Sequence, residues 1–386
     1  MNWVQIKVLF IAGRIGVMNG AFHSLLSSVK ELKKLGVVPI ILLHTHGPVE
    51  DAFLENGIEC RVLPYCGCTV PADRPSKLKG MIKVAVNGWL ESSVERIIKE
   101  EEIDLVHSNV STSSIGAVSA IKNHIPIIWH LREFLEEDVN LTYINQKKIG
   151  KLLRSADGVI AISNAVAEHF RKTYDVNNIK TIYNGIALDQ TLPVKKECKG
   201  DNMYFTLVGR IVRTKGQLEA LKAFYKVVRS GYKGLKLMFV GDIGDQEYYH
   251  FICKYIRDIG LESYVEIYDH QNDLMPVWEK TSVALICSTR EGFGRVTAEF
   301  MLNGVPVIGA DTGGTPELLR NERGFIYQYG DEEDLAQKMM FVIENYSLAT
   351  QMAHSAKEYA QKFFTAWNCA IQIRQVYDEI LECEKK

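Results

Sequence analysis

At 386 residues the chain exceeds what one hydrophobic core usually organises, and two domains are expected. Its 47% apolar and 24% charged residues exclude a disordered chain, and a formal net charge of −2 argues against a general nucleic-acid binder. The eight cysteines include no paired CxxC units at zinc spacing, the start carries no basic segment followed by a signal core, and no window approaches the roughly 18 apolar residues that span a bilayer. The expected setting is a reducing cytoplasm with free thiols and no metal.

Residues 6–12 read as a buried strand ending at Gly13. The loop through Gly16, Asn19 and Gly20 then opens a helix with Phe22, Leu25, Leu26, Val29, Leu32 and Leu35 at helical spacing, stopped by Gly36. Strand, glycine-rich loop and helix begin a Rossmann-like domain. The glycine spacing is not that of the dinucleotide fingerprint, which disfavours NAD and FAD. Residues 37–43 and 58–63 are the next strands. Residues 71–91 set Lys77, Lys79 and Lys83 among Leu78, Met81, Ile82, Val84, Val86, Trp89 and Leu90 at helical spacing. Such a stretch is either a packed helix with solvated lysines or a segment lying on an anionic membrane. Lys147, Lys148, Lys151 and Arg154 carry the same two readings.

Strands at 103–107 and 125–129 lead into His107-Ser108-Asn109 and His130-Leu131-Arg132-Glu133. Polar groups just past strand carboxyl ends are where open α/β sheets bind ligands, although a histidine there can simply bond the turn. Residues 158–163 and 179–182 are further strands, and Asn184-Gly185 is a turn signal. The polar stretch 188–202, with Pro193, is the linker candidate, which divides the chain into domains at 1–187 and 203–360 with a C-terminal helix at 361–386.

The second half opens with a strand at 204–208, then Gly209, Arg210, Lys215 and Gly216, then a helix with Leu218, Leu221, Ala223, Phe224 and Val227. Two cations beside one helix start read as a phosphate clamp or, more plainly, as two surface cations. No GxxxxGK[ST] occurs, so this is not a P-loop. Strands follow at 235–240 and 265–268. Residues 284–317 then hold an apolar strand, the turn through Glu291, Gly292, Phe293 and Gly294, a helix, a second strand and Gly313-Gly314-Thr315-Pro316-Glu317. Gly292 and Gly294 let backbone N–H groups approach an anion at a helix start. Glu291 and Glu299, eight positions apart, are expected near one helical face as acceptors for ligand hydroxyls; the plainer alternative is two helix-surface charges.

The stretch 284–317 resembles the signature of the retaining GT-B glycosyltransferases of family 4, where two glutamates separated by seven residues bracket a Gly-Phe-Gly turn and Gly-Gly-x-Pro-Glu follows. Gly209-Arg210 with Lys215-Gly216, and Asn184-Gly185, resemble further family motifs. The resemblance implies an α/β GT-B fold, two Rossmann-like domains with parallel sheets facing across a cleft. It implies a nucleoside-diphosphate sugar as co-substrate, UDP favoured, and no cofactor. Gly209, Arg210, Lys215, Glu291, Gly292, Phe293, Gly294, Arg295, Val296 and Glu299 would hold this donor. Glu299 would take the ribose and Glu291 the sugar, and His130 would lie beside the sugar. Arg210 and Lys215 would neutralise the diphosphate, and Gly16, Asn19 and Gly20 would form the acceptor-side loop. Asn19-Gly20 where the family has two glycines, Leu131 where it has aspartate, and Asp269-His270 where it has glycine are departures. The expected function is sugar transfer to a glycan or lipid-linked acceptor in cell-surface glycoconjugate synthesis, in the cytoplasm at the inner membrane face. A nucleotide-sugar 2-epimerase of the same fold, or a non-catalytic sugar-nucleotide-binding subunit, are the alternatives; donor breakdown only in the presence of acceptor separates transfer from both.

Overall fold

Continuous apolar runs such as IKVLFI and VVPIILL cannot leave either face of a strand in water, so they pair in parallel under helices on both sides. In the computed structural model, which describes residues 3–14, 20–187, 202–271 and 273–383, this produces two sheets in two units. The first unit comprises Met1–Ala187 and Phe364–Lys386, the second Leu188–Phe363. Most of the sequence-expected linker lies outside the described residues.

In the first unit the strands are β1 (Ile6–Ile11), β2 (Val37–Leu43), β3 (Glu59–Val62), β4 (Thr69–Pro71), β5 (Leu105–Ser108), β6 (Ile127–Leu131), β7 (Leu141–Tyr143), β8 (Gly158–Ala161) and β9 (Ile179–Thr181). Seven form a parallel sheet in the order β3-β2-β1-β5-β6-β8-β9. Its order reverses between β1 and β5, where Phe10 stands opposite His107. Open α/β sheets bind ligands at such a switch point, beyond the strand carboxyl ends. The antiparallel pair β4–β7 was not foreseen; at three residues each, these strands are too short to show a period.

The last helix, Ala366–Cys383, packs on the helix Gly20–Lys34, and its Cys369, Ala370, Ile373, Val376 and Tyr377 belong to the core of this unit. Arg374 is 1% exposed yet paired on every side: Asp378 takes one ion pair at 2.8 Å, and the carbonyls of Leu35 and Val4 accept at 3.2 and 2.9 Å. A buried guanidinium is tolerated only when its donors are matched in this way. Chain end and chain start are thereby tied together.

The second unit holds β10 (Met203–Val208), β11 (Leu235–Val240), β12 (Val265–Tyr268), β13 (Val283–Ile286), β14 (Val307–Ala310) and β15 (Phe325–Tyr327) in the parallel order β12-β11-β10-β13-β14-β15. The switch point falls between β10 and β13, the strands that precede the Arg210–Lys215 turn and the Glu291 turn. Among the described residues no helix is long and apolar enough to cross a membrane.

Candidate active site

The second unit builds its site from three loops at the ends of β10, β13 and β14. The turn after β10 closes as a short 3-10 helix, Arg213–Lys215, and reverses at Gly216 with φ +76° into the helix Gln217–Arg229. A Cβ on Gly216 would stand 2.1 Å from the Cys287 carbonyl oxygen, so only glycine lets this turn press on the end of β13. From the other side Gly313, with φ +55°, lies against Glu291; a Cβ there would come 2.3 Å from the Glu291 carbonyl oxygen. The Gly314 amide donates to that same oxygen at 2.8 Å, and the Thr312 hydroxyl donates to the Ser288 carbonyl at 3.0 Å. Glu291 is thus held through its backbone by the loop after β14.

Its side chain is held as firmly. Lys215 Nζ and Ser288 Oγ both donate to Glu291 Oε1, at 2.5 and 2.7 Å, which leaves Oε2 without a partner among the described residues. Val208, Lys215, Ser288, Glu291, Gly294, Val296 and Thr297 line one small pocket at the switch point. The Thr297 hydroxyl is buried there with no hydrogen-bond partner among the described residues. The helix Arg295–Leu302 begins at the pocket from a left-handed Gly294, φ +92°, and its opening N–H groups have no intrahelical acceptor. Ammonium, hydroxyls and a helix start converge, as a phosphorylated and hydroxylated ligand requires.

Glu299 sits one turn along that helix. Arg295 Nε donates to its Oε1 at 2.8 Å, while burial pushes its pKa up and Arg295 opposes the rise. Each glutamate therefore faces its own cation.

In the first unit the buried groups at the ends of β5 and β6 form a chain. Tyr377 OH lies 2.6 Å from His107 Nδ1, His107 Nε2 lies 3.2 Å from His130 Nδ1, and Arg132 Nη2 donates to His130 Nδ1 at 3.3 Å. Arg132 also donates to Asn109 Oδ1 at 2.7 Å and to Asn184 Oδ1 at 2.6 Å. Burial, then the Arg132 charge, lowers His107 to about 3; burial, Arg132 and His107 hold His130 well below the ordinary imidazole value. His130 Nε2 is buried without a partner among the described residues.

Comparison with known proteins fits both halves. A family model described as Glycosyltransferase Family 4 matches residues 18–190, and one described as Glycosyl transferases group 1 matches 189–363. The chain belongs to the group 1 glycosyltransferases of the GT-B fold. It is similar to the N-acetyl-alpha-D-glucosaminyl L-malate synthase of Bacillus anthracis, 23% identical over 315 residues that make 77% of this chain and 80% of that one. It is also similar to the capsular polysaccharide biosynthesis glycosyltransferase CapM of Staphylococcus aureus, 28% identical over 188 residues and 47% of each chain. Among solved structures, Anabaena Alr3699/HepE in complex with UDP-glucose matches with a TM-score of 0.77 at 22% identity, over 97% of this chain and 100% of that one.

Several sequence-expected residues of this glycosyltransferase stand differently from expectation. The helix begins at Arg295, so Glu291 lies four positions before it, and no helical face relates it to Glu299. Loop packing, not helical phase, places Glu291, and Glu299 does not line the pocket. His130 is not beyond its strand but one residue inside the end of β6, as His107 is one residue inside the end of β5, each 1% exposed. Gly209 rests against the Lys215 side chain, and Phe293 is buried. Arg210 is exposed and outside the pocket; its carbonyl accepts from the buried Gln217 at 2.9 Å. Gly20 is the first residue of its helix, while Gly16 and Asn19 lie outside the described residues.

Ser288, Thr297 and Tyr377 were not singled out for the site. Ser288 reads as one more polar residue of the turn after β13, and Thr297 as one hydroxyl between Val296 and Ala298, so neither carries a signal of its own. Tyr377 reads as one more apolar position of a terminal helix.

Proposed function

We propose that this glycosyltransferase is a retaining, metal-independent hexosyltransferase that moves a sugar from a UDP-sugar to a hydroxyl of a glycan or lipid-linked acceptor in cell-surface glycoconjugate synthesis. The observation that carries the reading is the pocket at the β10–β13 switch point. There Lys215 is oriented by Glu291 beside a helix start, with Glu291 Oε2 and Thr297 Oγ1 left for a ligand. The HepE structure with UDP-glucose supports the donor class, and the CapM name supports the cell-surface role.

In the proposed step the bond between the anomeric carbon and the diphosphate oxygen breaks, its electron pair staying with the diphosphate. The acceptor oxygen bonds to the same face of that carbon, and its proton passes to the departing phosphate oxygen. Negative charge grows on the diphosphate, where Lys215, Arg210 and the helix start stabilise it. Lys215 has three N–H donors and uses one on Glu291, so the ammonium can serve the phosphate without leaving its carboxylate. Glu291 would take sugar hydroxyls, Glu299 the ribose hydroxyls, and His130 a sugar oxygen. Arg210, being exposed, acts as the weaker of the two cations.

Thermal unfolding with UDP, GDP and ADP, each with and without EDTA, tests the donor site. UDP at about 100 times its Kd should stabilise the native state by about 2.7 kcal/mol, a midpoint rise of several degrees. EDTA should leave that rise unchanged. Equal silence from all three nucleotides sinks the donor assignment.

Membrane contact is proposed for the helix Lys77–Glu100. Leu78, Met81, Ile82 and Trp89 are exposed on it, Trp89 to 79%, next to the exposed Lys77 and Lys79. Apolar side chains in water beside cations suit an anionic lipid surface. Anionic vesicles at low salt should blue-shift the tryptophan emission, and Trp89→Phe or high salt should abolish the shift. An emission spectrum indifferent to vesicles removes the proposal.

A further inference from the structure

We infer that Arg132 and the Tyr377–His107 pair are positioning residues that fix His130 with its proton on Nε2, making it a one-way hydrogen-bond donor to the sugar. The assignment follows from one fact of chemistry: a guanidinium only donates. Arg132 Nη2 stands 3.3 Å from His130 Nδ1, so that nitrogen must offer its lone pair. A neutral imidazole then carries its proton on Nε2. His107 Nε2, 3.2 Å from the same Nδ1, can face a lone pair only as a donor, so His107 is also protonated on Nε2. Its Nδ1 is in turn an acceptor, and the Tyr377 hydroxyl 2.6 Å away supplies the proton.

The chain has one consistent direction, from Tyr377 through His107 to His130, with its last N–H at His130 Nε2. That atom is buried and unpartnered among the described residues, an arrangement folded proteins rarely leave without purpose. Neutrality follows from the surroundings. Burial and the Arg132 charge oppose an imidazolium at either ring. The other titratable groups around Arg132 are Glu133 after β6 and Cys369 and Tyr377 on the last helix. Burial pushes the pKa of each of these three up.

Two consequences follow. First, His130 cannot be a general base, because the nitrogen left without a protein partner among the described residues already carries its proton. It can only donate to an oxygen lone pair, as a hydroxyl of the transferred sugar offers. Second, the last helix does more than close the core of the first unit: through Tyr377 it sets the tautomer of His107 at the end of β5, 270 residues earlier in sequence. That the donated proton meets sugar rests on the glycosyl-transfer reading; the tautomer does not.

The test is a long-range proton–nitrogen correlation spectrum of the full chain labelled with nitrogen-15 in its histidines, between pH 6 and 8. Single His107→Asn and His130→Asn variants assign the two rings. Both should show the Nε2–H pattern without titrating. A proton on His130 Nδ1, or an imidazolium there, overturns the inference, whatever the enzyme does with UDP-sugars. Tyr377→Phe should move His107 to a mixture of tautomers. It should also lower kcat by roughly threefold to tenfold while UDP affinity, which involves no sugar, stays within about twofold. If Tyr377→Phe leaves both spectrum and kcat unchanged, Tyr377 is not a positioning residue. If that variant does not fold, the wild-type spectrum still decides the tautomer.

Discussion

Lys215→Ala is expected to reduce kcat for transfer from a UDP-sugar by about 100-fold to 1,000-fold, the range seen when a preorganised donor to a developing negative charge is removed. Two effects add. The ammonium that meets the leaving diphosphate is lost, and Glu291 Oε1, which receives Lys215 at 2.5 Å, is left as an unbalanced carboxylate in the same pocket. That second effect turns an attractive site into a partly repulsive one, so ground-state binding of UDP should also weaken. Lys215→Ala combined with Glu291→Gln should therefore bind UDP better than Lys215→Ala alone, a coupling expected only of groups in contact. Steady-state kinetics and UDP titration of the four proteins measure both effects. A Lys215→Ala enzyme within threefold of wild type in kcat/KM would show that this lysine does not meet the diphosphate. Arg210→Ala should cost much less, because an exposed cation is screened by water and salt.

What the sequence made legible follows from periodicity and from turns that demand particular residues. The long apolar strands and the helix with Leu218, Leu221, Phe224 and Val227 show a pattern that survives without tertiary information. Lys215 and Glu291 were legible as residues beside turns. Their mutual contact was not, because 76 residues separate them and only the packing of Gly216 on Cys287 and of Gly313 on Glu291 brings them together. The helical-face argument for Glu291 and Glu299 failed for a similar reason: it carried helical phase across the glycine-led turn that runs up to Gly294. His130 was found by resemblance, but its surroundings come from β5, from Asn184 and from the last helix, elements far apart in sequence. Asn184 is the sharpest case. Asn-Gly signals a turn, yet the Asn184 side chain is spent on Arg132, and Gly185 is needed because a Cβ there would lie 2.5 Å from Ala366 Cα. Local chemistry announces a turn; only the fold shows what the turn carries.

Glu299→Gln should lower UDP affinity by roughly 10-fold to 100-fold, the loss of about 1.5–3 kcal/mol expected when a charged acceptor is replaced by a neutral one at a ligand hydroxyl. The same change should leave the thermal midpoint at neutral pH unchanged or raise it. Burial pushes the Glu299 carboxyl pKa up, and Arg295 only partly offsets this, so its ionised form is a cost to the folded state. A folded pKa above the unfolded one, ordinarily about 4.3 for glutamate, means that the favourable contribution is present at low pH and lost as pH rises through the folded value. Glutamine removes that loss and keeps a carbonyl for Arg295 Nε, which now donates to Oε1 at 2.8 Å. The difference in midpoint between variant and wild type should therefore grow in favour of the variant as pH rises across that interval, then level off. A carboxylate retained for structure behaves the other way, its removal lowering stability where it is charged. Calorimetry from pH 4 to 8 beside UDP titration separates the two roles. Lower stability with unchanged UDP affinity would make Glu299 a structural partner of Arg295 and nothing more. Weaker binding with undiminished stability would mean the chain holds a buried carboxylate, at some cost in stability, for its nucleotide.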